Sequence, residues 1–246
     1  QHTLFSDARL FMSNDGYFGG TVGFGYRYRV PEGNRFFGAS FWYDLDDTTS
    51  EMFHQLGVSL ESCGSLWDVR TNIYVPIGDY ETDYGIAVQD QQFVGNQITF
   101  TGARTFGTAM TGFDLELGLP VPTEFARTRN ISITPGTYMF FADVAEEIYG
   151  YKIRAEGNVT SNVAMQVEMT DDDTFGTTVM LGVEFVLPGG PRLKKPTDTM
   201  SRIRTDQFVH RNYNIIVSRQ VDLRSDLAAI NPETGQRYNL DFPKLT

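Results

Sequence analysis

Val22-Gly23-Phe24-Gly25-Tyr26-Arg27-Tyr28-Arg29-Val30 is the stretch whose reading decides the fold. Apolar or aromatic residues stand at every second position, and the positions between hold glycine or arginine. A period of two belongs to a strand whose faces meet different surroundings, because successive side chains of an extended chain point to opposite sides.

Working outward, the same alternation recurs on both sides. Phe37, Ala39, Phe41 and Tyr43 alternate with Gly38, Ser40, Trp42 and Asp44. Leu56, Val58 and Leu60 alternate with Gln55, Gly57, Ser59 and Glu61, and Trp67, Val69, Thr71, Ile73 and Val75 with Asp68, Arg70, Asn72 and Tyr74. Further along, Phe113, Leu115, Leu117 and Leu119 oppose Asp114, Glu116 and Gly118, and Tyr151, Ile153 and Ala155 oppose Lys152, Arg154 and Glu156. Val163, Met165, Val167 and Met169 oppose Asn162, Gln166 and Glu168, and Val179 to Leu187 oppose Thr178, Gly182 and Glu184. Residues 3–12 and 136–146 carry a noisier version. These predict ten strands, with 93–105 either an eleventh or a loop hairpin. Pro31, Pro76, Pro120, Pro122, Pro135 and Pro188 fall between the predicted strands, where no ladder hydrogen bond is lost. Two connections, 77–92 and 120–135, are long.

Composition narrows the class. No run of 18 apolar residues is present, which excludes a spanning α-helix. A membrane barrel escapes that test, since only alternate residues of each strand meet lipid. The net charge of −11 argues against nucleic acid, which needs a cationic surface. Cys63, the single cysteine, permits no internal disulfide and reads as an incidental turn residue. The sequence opens on Gln1 without a basic and apolar leader, which reads as a processed form or a fragment. Charge is uneven: residues 1–188 are acidic and 189–246 basic, so the domain boundary is expected near Pro188.

In a soluble barrel the charged face points outward; in a membrane barrel the apolar face meets lipid and the polar face lines a lumen. Phe36, Trp42, Tyr43, Trp67, Tyr74, Tyr138 and Tyr151 lie near strand ends, where interfacial girdles are expected. The opposite face mixes charge signs with glycine, as a lumen wall does. This favours the membrane, with Arg27, Arg29, Glu61, Asp68, Arg70, Asp114, Glu116, Lys152, Arg154, Glu156, Glu168 and Glu184 as the expected wall.

Several segments, in order, resemble the β-domain of inverse autotransporters of the intimin and invasin type. They are Gly38-Ala39-Ser40-Phe41-Trp42-Tyr43-Asp44-Leu45-Asp46, Gln55 to Glu61, Asn72-Ile73-Tyr74-Val75-Pro76-Ile77-Gly78, Gly112-Phe113-Asp114, and Val209-His210-Arg211-Asn212-Tyr213-Asn214-Ile215-Ile216-Val217. Together they cover roughly residues 4–220. The resemblance implies a transmembrane antiparallel up-and-down β-barrel of about 12 strands in the bacterial outer membrane. It implies a post-barrel linker that passes through the pore and carries a C-terminal passenger to the cell surface, as in type V secretion. Implied partners are outer-membrane lipid, the barrel-assembly and periplasmic chaperone machinery, and a passenger beyond residue 246. Ten predicted strands leave one or two expected before residue 1. Segment 79–106 is longer than the family pattern and reads as an added hairpin at the outer face. No adhesive passenger follows residue 246, so cell adhesion is not assigned to this chain.

Catalytic and metal patterns are weak. His2, His54 and His210 make no paired zinc motif. Asp44, Asp46 and Asp47, and Asp171 to Asp173, read as solvated turn carboxylates rather than a calcium site. No nucleophile elbow or phosphate loop occurs. The expectation is a non-enzyme without cofactor. The feature with a mechanism is electrostatic: basic Arg202, Arg204, Arg211, Arg219 and Arg224 follow a wall of carboxylates. Asp206–Arg219, with Val209, Asn212, Asn214 and Ile215, is expected to lie inside the barrel and plug it. The competing readings are a diffusion channel with the tail outside, and a soluble β enzyme.

Overall fold

A computed structural model describes residues 2–12, 16–30, 35–47, 51–94, 96–143, 145–160, 163–185 and 209–238. The described chain is all-β: β1 (His2–Met12), β2 (Phe18–Arg29), β3 (Arg35–Asp46), β4 (Phe53–Gly64), β5 (Asp68–Ile77), β6 (Glu81–Val94), β7 (Gln97–Ala109), β8 (Thr111–Pro120), β9 (Ser132–Ala142), β10 (Ala145–Asn158), β11 (Val163–Asp172), β12 (Thr178–Phe185) and β13 (Val217–Ala228). One short helix, α1 (Glu124–Arg129), lies within the predicted 120–135 connection. Its Thr123 hydroxyl accepts from the Ala126 amide, and Asn130 closes it in the left-handed region.

The chain divides into two units, Gln1–Tyr80 with Ala109–Ile216, and Glu81–Thr108 with Val217–Thr246. This differs from a boundary near Pro188. Net charge follows which residues need counterions, whereas a unit follows which strands share backbone hydrogen bonds. Residues 209–216, which are not a strand, go with the first unit through contacts to its side chains.

The first unit is one antiparallel sheet in the order β1-β2-β3-β4-β5-β8-β9-β10-β11-β12. Every strand pairs with its chain neighbour except where β6 and β7 are spliced out between β5 and β8. The second unit is a three-stranded sheet, β13-β7-β6, in which 93–105 belongs to the hairpin and not to the large sheet.

Two expectations about strand limits are corrected. Residues 136–146 are not one strand: β9 ends at Ala142 and β10 begins at Ala145. Pro76 and Pro135 lie inside β5 and β9, and Pro120 ends β8. Pro135 is tolerated because the β8–β9 ladder is interrupted between Gly136 and Ile133, so its missing N–H costs no bond there.

The large sheet is inside out compared with a water-soluble one. Asp44 and Glu116 are 0% and 1% exposed, while Leu10 is 91% and Phe41 69% exposed. Along β4 the alternation is strict, with Gln55, Ser59 and Glu61 buried and Leu56 and Leu60 exposed. The sheet also curls. A cavity of about 480 Å³ is lined by Arg9 of β1, Asp68 of β5, Glu156 of β10 and Gly182 of β12, with His210 and Tyr213. Strands from both ends of the sheet order thus face one space.

Candidate functional site: the buried charged face and residues 209–216

The register explains how so many charges share one face. A single row across the sheet reads Arg27, Gly38, Glu61, Arg70, Glu116, Gly136 and Lys152. Charges alternate in sign, and the two glycines act as windows. Arg27 crosses the missing side chain of Gly38 to reach Glu61, with Nε and Nη2 at 2.9 and 2.8 Å from Oε2. Lys152 likewise crosses Gly136 to meet Glu116 at 2.6 Å. A Cβ at Gly38 would lie 2.9 Å from the Glu61 carboxylate, and one at Gly136 would lie 3.1 Å from both the Glu116 and Lys152 chains. Arg154 adds a two-pronged bond to Glu116 at 3.1 and 2.6 Å and one to Glu168 at 3.1 Å. Paired this way, the wall charges avoid the several kcal/mol that an isolated buried ion costs.

A second row alternates glycine with aromatic rings: Gly23, Trp42, Gly57, Tyr74, Gly112 and Phe140. Phe36, Trp42 and Tyr74, expected in outer girdles, are instead almost fully buried on the charged face. Glycine on both sides gives Trp42 and Tyr74 the width they need, and Phe140 has Gly112 on one side and Ile148 on the other.

Residues 209–216 lie against these rows without strand pairing of their own. Arg211 anchors them. Its guanidinium sits over Gly57, between Trp42 and Tyr74, with ring centroids 5.0 and 5.3 Å away. A Cβ at Gly57 would stand 2.7 Å from Nη2 and exclude it. Both terminal nitrogens bond Asp44, each at 2.6 Å. The Thr21 hydroxyl and the Gln55 amide, the latter at 3.1 Å, donate to the same carboxylate and hold it in place. Planar, two-pronged pairing of this kind is what guanidinium offers and an ammonium does not.

The backbone of the segment is served by wall side chains. Asn212 N–H donates to Tyr74 Oη at 2.7 Å, and that hydroxyl donates to Asp114 at 2.7 Å. Asn72 donates to Asp114 at 2.8 Å and to the His210 carbonyl at 3.1 Å. Ile215 N–H donates to Asp46 at 3.0 Å. His210 Nε2 meets Glu156 at 3.1 Å, and Arg9 stacks 4.0 Å from the Tyr213 ring centroid. One eight-residue stretch thus touches β1, β2, β3, β5 and β10.

Several sequence-predicted residues come together here. Glu61, Asp68, Arg70, Asp114, Glu116, Lys152, Arg154, Glu156, Glu168 and Arg27 all lie on the charged face, and Arg29 is half-buried in β2. The linker residues Val209, Arg211, Asn212 and Ile215 meet that face, while Asn214 is exposed. Others do not meet it: Arg219 and Arg224 belong to β13 in the second unit, because strand pairing begins at Val217. Arg202, Arg204 and the Glu184 side chain lie outside the described residues. Asp44 and Asp46, read as solvated turn carboxylates, are buried and carry the contacts to Arg211 and Ile215. The signal was there: Asp44 continues the polar face of β3, and the same alternation carries Asp46 inward. Asp171 and Asp172, by contrast, do close a turn, accepting from Thr177 and from the Thr174 and Phe175 amides. Among the described residues, no cluster of histidine, cysteine and carboxylate groups could hold a metal ion.

No family model matches the chain. No curated protein matches it either. In fold it is similar to a solved structure reported as "Unveiling the Mechanism Behind the in-meso Crystallization of Membrane Proteins". The TM-score is 0.57 at 14% identity, over 84% of this chain and 82% of that one. At that identity the likeness concerns the fold alone.

Proposed function

We propose that the first unit is a transmembrane β-barrel of the bacterial outer membrane, which anchors a C-terminal passenger and carries it to the cell surface. The observation that supports this most is the seating of residues 209–216: a continuous polypeptide held on the inner, charged face of a sheet whose outer face is apolar. In water that outer face would be an unusually large exposed apolar surface; in a bilayer it is the lipid contact, and the charged face becomes the lumen. A polypeptide inside a membrane must have its polar groups satisfied by protein or trapped water. The bonds from Asp46, Asn72 and Tyr74 to the backbone of 210–215 do this. The resemblance of the 38–46, 72–78 and 209–217 segments to inverse autotransporters points the same way.

The test is to express the chain with its own or a supplied export signal and an epitope appended after Thr246. The expected outcome is outer-membrane fractionation, heat-modifiable gel mobility, and antibody binding to the epitope on intact cells. Epitope found only in the periplasm, with high single-channel conductance, would support the diffusion channel instead. Monodisperse behaviour without detergent would contradict both.

A further inference from the structure

We infer that the β6–β7 hairpin is a docking template that captures the chain as it leaves the first unit, by adding residues 217–228 to the edge of β7. This rests on the export reading above and names what happens to the polypeptide after it passes the charged face.

Four observations carry it. First, the hairpin contributes nothing to the large sheet, which closes its ladder from β5 directly to β8. Second, the three chain crossings out of the first unit are tied together: Ala109 N–H donates to the Tyr80 carbonyl, and Met110 N–H to the Ile216 carbonyl, both at 2.8 Å. The hairpin and the emerging segment therefore leave that unit from one spot. Third, β13 pairs with β7 although more than a hundred residues separate them, and the Ala229 N–H to Ile98 carbonyl bond at 2.9 Å, with the Met110–Ile216 bond, fixes opposed directions. Without β13, β7 would be a free edge.

Fourth, β7 has sockets for side chains of the incoming strand. Gly107 lies under Val217 and Tyr84, with Val217 Cγ1 3.2 Å from where a Cβ would be. Gly102 lies under Leu227, whose Cδ1 is 2.9 Å from the equivalent point. Two glycines on the central strand thus accept apolar side chains from near the two ends of β13. The Arg219 guanidinium stacks 5.2 Å from the Tyr84 ring centroid. This is strand addition: backbone bonds supply affinity, and sockets for particular side chains set the register. Its partner is an extended segment of this same chain with apolar side chains to fill both sockets. Pairing would hold the emerging strand and oppose its return.

The experiment removes residues 81–108 from the full chain and bridges Tyr80 to Ala109 with Asn-Gly, a two-residue turn that suits ends already hydrogen bonded. A second variant keeps the hairpin and fills the sockets, Gly102→Leu with Gly107→Leu. Two readouts are used: amide hydrogen exchange of 217–228 in purified full-length protein, and surface display of the epitope after Thr246. Heat-modifiable mobility reports that the large sheet still forms. Both variants should lose protection at 217–228 by at least about tenfold, the change expected when a paired strand becomes a free one, and should display less epitope than the parent. Protection within about twofold of the parent, or unchanged display, overturns the inference. If the parent itself fails to display epitope, the export reading fails; the exchange arm still decides whether β7 captures 217–228.

Discussion

Residues 209–216 and 217–228 are consecutive, yet they are held in opposite ways. The first stretch pairs with no strand, and wall side chains satisfy it: Asp44 for Arg211, Asp46 for the Ile215 amide, Tyr74 for the Asn212 amide. The second is a strand, held through its backbone, and much of its side-chain surface, including Val221 and Leu223, is exposed. Side-chain binding is specific to the sequence that fits it. Backbone pairing tolerates change, except at Val217 and Leu227, which fill the glycine sockets of β7. The comparison teaches that a chain can be gripped by identity in one place and by conformation a few residues later.

The sharpest way to break that comparison is a matched pair of substitutions. Arg211→Ala strands the Asp44 carboxylate in a buried setting, and should cost about 3–5 kcal/mol of unfolding free energy. Arg219→Ala removes an exposed stack and should cost less than about 1 kcal/mol. Urea titration followed by the heat-modifiable gel shift measures both; equal losses would undo the distinction. Asp44→Ala combined with Arg211→Ala should cost less than the two singles summed, since each leaves the other unpaired.

Next in size is the exposed apolar face of the first unit. Leu115→Arg should cost about 2–4 kcal/mol if that position meets the bilayer core. Val221→Arg, on the exposed face of β13, should leave the same titration unchanged. A smaller effect is expected from Asn72→Ala, which removes donors to Asp114 and the His210 carbonyl, for about 1–3 kcal/mol. Its signature is local: faster amide exchange at 209–216, with 217–228 unaffected.

The smallest effect is electrostatic and lies in the second unit. Hydrogen bonds from Arg104, then from the Gly85 amide, hold the Asp83 carboxyl below its usual range. A carboxyl lowered in the folded state stabilises it above its ordinary value and loses that contribution as pH falls through the lowered one. The two side chains are about half exposed and screened by solvent, so Asp83→Asn should alter β6–β7 exchange at neutral pH less than any substitution above alters its own readout. Any difference should disappear in acid.

Strand existence was legible because period two is local: Val22 to Val30 needs no partner to declare two faces. Register was not, and it is register that makes Gly38 a window between Arg27 and Glu61 and seats Arg211 over Gly57. Asp44 and Asp46 were misread for the same reason. As a run near a turn they look solvated; as polar-face positions of β3 they point inward. Trp42 and Tyr74 sit on the polar parity of their strands, so parity located them better than composition did. The charge change near Pro188 reflected a real basic bias, but the unit boundaries fall at Tyr80, Thr108 and Ile216, where backbone pairing changes partner. Nothing in a linear pattern announces that β7 and β13 pair.

The central claim is that the apolar face of the large sheet meets lipid while the charged face encloses residues 209–216. Nitroxide labels placed one at a time at Met165, Gln166, Val167, Glu168 and Met169 of β11, in protein reconstituted into bilayers, test it most directly. Collision with oxygen, which concentrates in lipid, should oscillate with a period of two and peak at Met165, Val167 and Met169, where a water-soluble nickel chelate stays excluded. Oxygen maxima at Gln166 and Glu168, or nickel access at the three apolar positions, would contradict it.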